Sequence, residues 1–293
     1  MRTIYPDRYG RIEISEINRL AEQSVEQLVD RAEDFYQVQL EDAAEQILNH
    51  SNARIVLLSG PSASGKTTTA YKIRDEIIAR GCGAIVVSMD DFFRNRNEYP
   101  LLPDGTEDFE SVGCLDLPTI HRCLEELLEY GFSEFPLYDF VSGRRKKDAH
   151  TVNIGENDIV IMEGIHAINP AVTGDIDNRD TFKIYISVRS KFILGDREVL
   201  QPKDIRLMRR MIRDNNFRNY RPSDTLLKWQ SVLDGEKRNL DPFRDQVNLK
   251  FDSTLDYEPC IYRHYLTPFM EHEDRTGQFL SLIHIYIRVW RIF

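Results

Sequence analysis

The period of the apolar positions changes twice before residue 70. Val25, Leu28, Val29 and Ala32 fall at i, i+3, i+4 and i+7, and Leu40, Ala43, Ala44 and Ile47 repeat that spacing. Residues 15–48 are therefore expected to form two amphipathic helices, with Ser15 as the opening cap. Residues 54–58 are instead a short aliphatic, β-branched run entering Ser-Gly-Pro, the pattern of a buried strand that runs into a loop. Residues 67–80 read as a helix that Gly81 and Gly83 end. Apolar runs at 84–89, 158–162 and 181–188 predict three more buried strands. Strands alternating with helices predict an α/β fold whose parallel sheet is flanked by helices and joined by right-handed crossovers. Two further helices are expected: 114–130, with Leu117, Ile120, Leu124, Leu127 and Leu128 on its core face, and 195–220. The second carries Arg206, Arg209, Arg210, Arg213 and Arg218 around Leu207, Met211 and Ile212, so one face is strongly basic.

Composition narrows the classes. Apolar residues make up 41% of the 293 and charged residues 29%, which is ordinary globular usage. The formal net charge of -10 argues against a general nucleic-acid or membrane-surface binder, which would want a broad positive field. Cys82, Cys114, Cys123 and Cys260 make no C-x-x-C pair and read as reduced thiols. No signal-peptide core is found in the first 19 residues and no apolar run is long enough to span a bilayer, so a cytoplasmic protein is expected. The chain divides into a helical extension (1–50), a main domain (51–275) and a tail (276–293). Within the tail, Leu-Ser-Leu-Ile-His-Ile at 280–285 matches a translated sequencing-adapter end, so residues 280–293 are expected to be an assembly artefact, with a genuine apolar strand as the alternative.

One motif carries the chemistry. Gly60-Pro-Ser-Ala-Ser-Gly65-Lys66-Thr67 satisfies G-x-x-x-x-G-K-[ST] and lies between an expected strand and an expected helix. This is the P-loop, or Walker A, pattern. Backbone N–H groups converge on phosphate oxygens there, helped by the positive end of the helix. Gly60, Ser62, Ala63, Ser64, Gly65, Lys66, Thr67 and Thr68 are the candidate ATP-binding residues. Lys66 is expected to reach the β- and γ-phosphates, and the Thr67 hydroxyl to ligate Mg²⁺. Asp90 follows the second strand at the sheet's carboxyl edge and is the general-base candidate; capping or metal positioning by Asp90 and Asp91 is the plainer alternative. Glu163 follows the third strand and is the candidate metal carboxylate. The arginine-rich helix reads as a lid whose guanidinium groups balance charge during phosphoryl transfer, with Arg213 as its catalytic member.

Several segments together resemble the uridine kinase and phosphoribulokinase family of P-loop kinases. They are the loop above, Ser88-Met-Asp-Asp-Phe-Phe93, Pro136-Leu-Tyr-Asp-Phe140 with Arg144 and Arg145, and Ile161-Met-Glu-Gly-Ile165. The resemblance runs over about residues 54–257 and is similar to a bacterial uridine-kinase-like branch. It implies Mg²⁺-dependent transfer from ATP to the 5′-hydroxyl of uridine or cytidine, with Asp90 as base and Glu163 as magnesium carboxylate. It further implies that Phe109, Glu110, Tyr138, Arg209 and Arg213 meet the acceptor. Gly143 stands where such kinases place a base-reading His, and Glu110 where many place an Asp. The partner expected is a small molecule rather than nucleic acid or membrane, with self-association left open. A kinase of the same fold for a sugar phosphate or vitamin precursor, and a non-catalytic ATP sensor, are the alternatives.

Overall fold

The computed structural model describes residues 10–50, 53–140, 142–174, 176 and 180–273, so the adapter-like tail lies outside the described residues. The chain enters through a short strand, β1 (Arg11–Glu13), and two helices, α1 (Ile14–Gln23) and α2 (Val25–Asn49). Ser15 does not cap them, because its hydroxyl turns to the Glu13 carboxylate at 3.1 Å. The helical break falls at Ser24, whose Oγ accepts the Gln27 N–H at 3.3 Å and starts α2.

Next come β2 (Ile55–Ser59), α3 (Lys66–Ala79), β3 (Ala84–Ser88), α4 (Leu117–Tyr130) and the hairpin of β4 (Phe132–Asp139) and β5 (Arg144–Asn153). The order continues with β6 (Ile159–Glu163), a single turn α5 (Pro170–Thr173), β7 (Thr181–Ser187), and a second hairpin, β8 (Lys191–Leu194) and β9 (Arg197–Leu200). Helices α6 (Pro202–Arg218) and α7 (Pro222–Asn239), strand β10 (Leu249–Asp252) and helix α8 (Glu258–Glu273) follow. The expected helix over 195–220 thus begins late. Gly195 turns the β8–β9 hairpin with φ 60°, and Pro202 opens α6 after the Gln201 N–H bonds the Asp204 carboxylate at 2.8 Å.

The central sheet is all parallel in the order β10-β7-β2-β6-β3. Its strands read as unbroken apolar runs because both faces are covered. Along β2 the faces alternate: Ile55 and Leu57 pack with Ile120, Leu124 and Leu127 of α4, while Val56 and Leu58 pack with Ala43 and Ile47 of α2 and Ile73 and Ile77 of α3. A separate core joins the N-terminal segment to the basic helix. In it Ile12, Ile14 and Ile17 meet Phe192 and Leu200 of the second hairpin, Met208 and Met211 of α6, and Trp229 of α7. Strand β1 also pairs parallel with β8, Ile12 opposite Phe192. Among the described residues no helix is long and apolar enough to cross a membrane.

Candidate active site

The site assembles at the carboxyl ends of β2, β3 and β6, where an open α/β sheet presents loops to ligands. The loop leaving β2 curls tightly: Ala63 (φ 59°) and Gly65 (φ 88°) both lie in the left-handed region, and α3 starts at Lys66. Only the glycine adopts that conformation freely, so the strain at Ala63 marks a loop shaped by its task. Half-buried, Lys66 donates to the Gly60 and Pro61 carbonyls at 3.0 and 3.2 Å. Burial pulls its pKa below the ordinary lysine value, and the charges of Glu163 and Asp90 oppose that shift. Ser64 is fully buried and its hydroxyl has no partner, whereas Thr67 and Thr68 are exposed at the start of α3.

Registry of the parallel strands brings the acids to the loop. Ser88 ends β3 opposite Glu163 at the end of β6. The Glu163 carboxylate accepts from Thr67 Oγ1 at 2.9 Å and from Ser88 Oγ at 3.3 Å. It is 6% exposed, and burial raises its pKa despite the attraction of Lys66. A hydroxyl and a carboxylate on adjoining oxygens suit a hard cation such as Mg²⁺, which takes one or two protein ligands and completes its shell with phosphate and water. Asp90 sits in the single turn after β3, with its backbone N–H on Ser88 Oγ at 3.3 Å. Its side chain is open to the cleft, yet crowding by the cleft walls strips enough solvent to push its pKa up. Lys66, Arg218 and Arg213 oppose that shift. Asp91 points elsewhere, taking the Tyr138 N–H at 3.4 Å.

An aromatic wall borders Asp90 and Asp91. Phe93 packs on Tyr99, Tyr138 and Phe140 with ring centroids 6.0, 5.6 and 5.8 Å apart, and the Tyr99 and Tyr138 hydroxyls share a 3.0 Å hydrogen bond. Phe109, 48% exposed, extends the wall through Tyr99 and carries the Arg96 guanidinium 4.9 Å above its ring. Gly143 turns the β4–β5 hairpin with φ 66°, a conformation that disfavours any side chain, and a Cβ there would meet Arg96 at 3.3 Å. A cleft of about 650 Å³ opens at this end, lined by Asn95, Arg96, Glu107, Gly143 and Arg144 among others. Arg145 locks the hairpin to the wall through the Phe93 carbonyl at 3.2 Å and Asp116 at 2.8 Å.

Helix α6 lies over the phosphate loop, but its arginines divide the work differently from the sequence reading. Arg209 is held by Glu258 at 2.7 Å and the Ser253 carbonyl at 2.6 Å and reaches the Ala63 carbonyl of the phosphate loop at 3.4 Å, so it ties α6 to α8, to the loop after β10 and to the phosphate loop rather than to the aromatic wall. Arg213 bonds its neighbour Asp214 at 2.7 Å while lending positive potential to Asp90. Arg210 donates to Ser62 Oγ at 2.7 Å, and its charge opposes the burial that raises the Glu110 pKa. Arg210 and Arg218 are thus site-facing cations that residue type alone did not separate from Arg209.

His166 also escaped the sequence reading, although it lies only three residues beyond Glu163. It is buried, its Nδ1 has no partner, and its pKa is pushed down to about 4 by burial first and the Lys66 charge next. An unfolded histidine titrates near 6.5, so as pH falls the unfolded chain takes up the proton first. Stability present above about pH 6.5 is therefore lost as the pH falls toward the folded value, by about 2 kcal/mol at about pH 5. Urea midpoints at about pH 7.5 and about pH 5 should show that loss and a smaller one in His166→Gln. Equal pH dependence in the two proteins would assign it to other groups.

The sequence profile of the Phosphoribulokinase / Uridine kinase family matches residues 55–254. The chain belongs to this family. A uridine kinase of Borrelia turicatae (strain 91E135) is 29% identical over 199 residues, covering 67% of this chain and 84% of its own. One from Lactobacillus johnsonii is 27% identical over 164 residues, 56% of this chain and 69% of that protein. The crystal structure of a putative fructose transport system kinase from Silicibacter sp. TM1040 superposes with a TM-score of 0.53 at 18% identity. It covers 72% of this chain and 98% of that one, a likeness of fold. As a member of the phosphoribulokinase/uridine kinase family the protein is an ATP-dependent kinase.

Proposed function

We propose that this kinase transfers the γ-phosphoryl group of ATP to the 5′-hydroxyl of a pyrimidine nucleoside, uridine or cytidine. The observation that supports the reading is the charge coupling of Asp90 to Lys66 and Glu163, while its neighbour Asp91 takes the N–H of Tyr138 in the aromatic wall. Asp90 accepts the proton of the attacking hydroxyl, which must lose it as the new P–O bond forms. Lys66, Arg213 and Arg218 spread the negative charge of the transferring group, and the backbone N–H groups at the start of α3 hold the phosphates. Thr67 and Glu163 would hold Mg²⁺, which when bound neutralises charge on the β- and γ-phosphates. Phe109 and Tyr138 offer flat apolar surface for a base, and Glu110 a carboxylate for ribose hydroxyls.

One observation favours a second reading. Arg96 and Arg144 line the cleft beside Gly143 together with Glu107, which pairs with Arg96 at 2.9 Å, and the remaining positive balance supports an acceptor carrying a phosphate or carboxylate, such as a sugar phosphate. ADP release from Mg·ATP across uridine, cytidine, purine nucleosides, sugar phosphates and pantothenate separates the two. Turnover with uridine or cytidine is expected to exceed the others by at least about tenfold. Turnover confined to an anionic acceptor would replace the nucleoside reading.

A further inference from the structure

One turn of α7 touches both halves of the site. Glu236, 6% exposed, accepts the Ser62 N–H of the phosphate loop at 2.8 Å through Oε1. The same carboxylate takes both of its oxygens to Arg206 Nη2, at 2.6 and 2.7 Å, and Arg206 Nε returns to the Ser62 carbonyl at 3.0 Å. The phosphate loop is thus gripped at both backbone groups of one residue by a buried ion pair. Arg206 is fixed in turn over the Trp229 ring, 5.3 Å from its centroid. A buried pair of this kind is a poor source of stability and a good source of registry.

The neighbouring residue reaches the other half. A Cβ at Gly235 would lie 2.5 Å from both Cβ and Cγ of Glu110, closer than two carbons can approach. Glycine is the poorest non-proline residue for the interior of a helix, so α7 itself does not call for it. The approach of Glu110 does. One step further on, Arg238 bonds Asp108 at 3.4 Å, so residues 235–238 hold the 107–111 loop from one side while Glu236 holds Ser62 on the other.

We propose that the Gly235–Glu236 turn registers the 107–111 loop against the phosphate loop, so that filling the nucleotide site tightens the acceptor loop and filling the acceptor site tightens ATP. Gly235, Glu236 and Arg206 are positioning residues in this scheme. They act through Glu110 and Ser62 rather than on the reacting atoms. The scheme rests on the reading of residues 107–111 as the acceptor loop. Coupling of this kind is reciprocal and is commonly about 5- to 150-fold.

The test uses the full chain and a non-hydrolysable ATP analogue with Mg²⁺, and it needs no acceptor. Hydrogen exchange of the 107–111 amides should slow at least about fivefold when the analogue binds the wild type. In Gly235→Ala, and in Arg238→Ala as a milder change at the adjoining Asp108 contact, that response should fall below about twofold. Analogue affinity should stay within about threefold of wild type in both, since neither touches the nucleotide. A wild-type loop indifferent to the analogue, or a response of equal size in both variants, overturns the proposal. A parallel titration with uridine keeps the two readings apart: a loop that responds to the analogue in a protein that binds no uridine contradicts the nucleoside assignment and sustains the coupling.

Discussion

Asp90→Asn is expected to leave Mg·ATP affinity within about twofold of wild type and to lower kcat by about 10² to 10⁴. Asparagine keeps the volume and the polar shape of the side chain but cannot accept the proton of the attacking hydroxyl. The turn after β3 should survive the change, because its bond runs from the Asp90 backbone N–H to Ser88 Oγ and not through the carboxyl. The acid limb of the rate profile gives a second readout. Loss of solvent to the cleft walls raises the Asp90 pKa above the usual aspartate value against the pull of Lys66 and Arg218, so kcat should fall with decreasing pH sooner than for a fully solvated aspartate. That limb should be absent from the residual rate of the variant. Full turnover in Asp90→Asn would remove this residue from proton transfer, and Asp91, already committed to the Tyr138 N–H, could not readily replace it.

Lys66→Ala should fail in a different way, losing rate and nucleotide affinity together. In the proposed mechanism the ammonium group at the start of α3 would face the charge that builds on the γ-phosphate and would also hold the ground-state β- and γ-oxygens. Loss of one such preorganised donor is expected to lower kcat by about 10² to 10³, and ATP should bind about tenfold more weakly. The fold should remain, since among the described residues the Lys66 ammonium bonds only the Gly60 and Pro61 carbonyls of its own loop. Single-turnover rates and isothermal titration separate the two losses. A variant with weakened binding and an unchanged single-turnover rate would confine Lys66 to nucleotide capture.

The parts that could be read from the sequence are those that local physics dictates. Strands buried on both faces must be apolar throughout, which is why β2, β3, β6 and β7 stood out within a residue or two of their observed ends. The fifth strand did not, because Leu249–Asp252 is a short run interrupted by Lys250 and it completes the sheet only by pairing with β7. The phosphate loop was legible because its glycines, lysine and hydroxyl are contiguous. The hairpin of β4 and β5 was not, since eight of the ten residues of β5 are exposed and give no apolar period. In α6 the spacing of the arginines gave a basic face but not its partition. Arg209 is diverted by Glu258, 49 residues away in sequence, and Arg206 by Glu236, 30 residues away. Glu236 itself carries no local signal, because its contact with Ser62 spans 174 positions.

The proposed function requires this site to place a nucleoside hydroxyl in line with the γ-phosphate of ATP. Phosphorus NMR of the kinase with Mg·ATP and uridine tests it most directly. A phosphomonoester resonance on the 5′-oxygen should grow in step with ADP and be absent when uridine is withheld. ADP accompanied only by inorganic phosphate, or ATP that stays bound and intact while uridine is in excess, would contradict it.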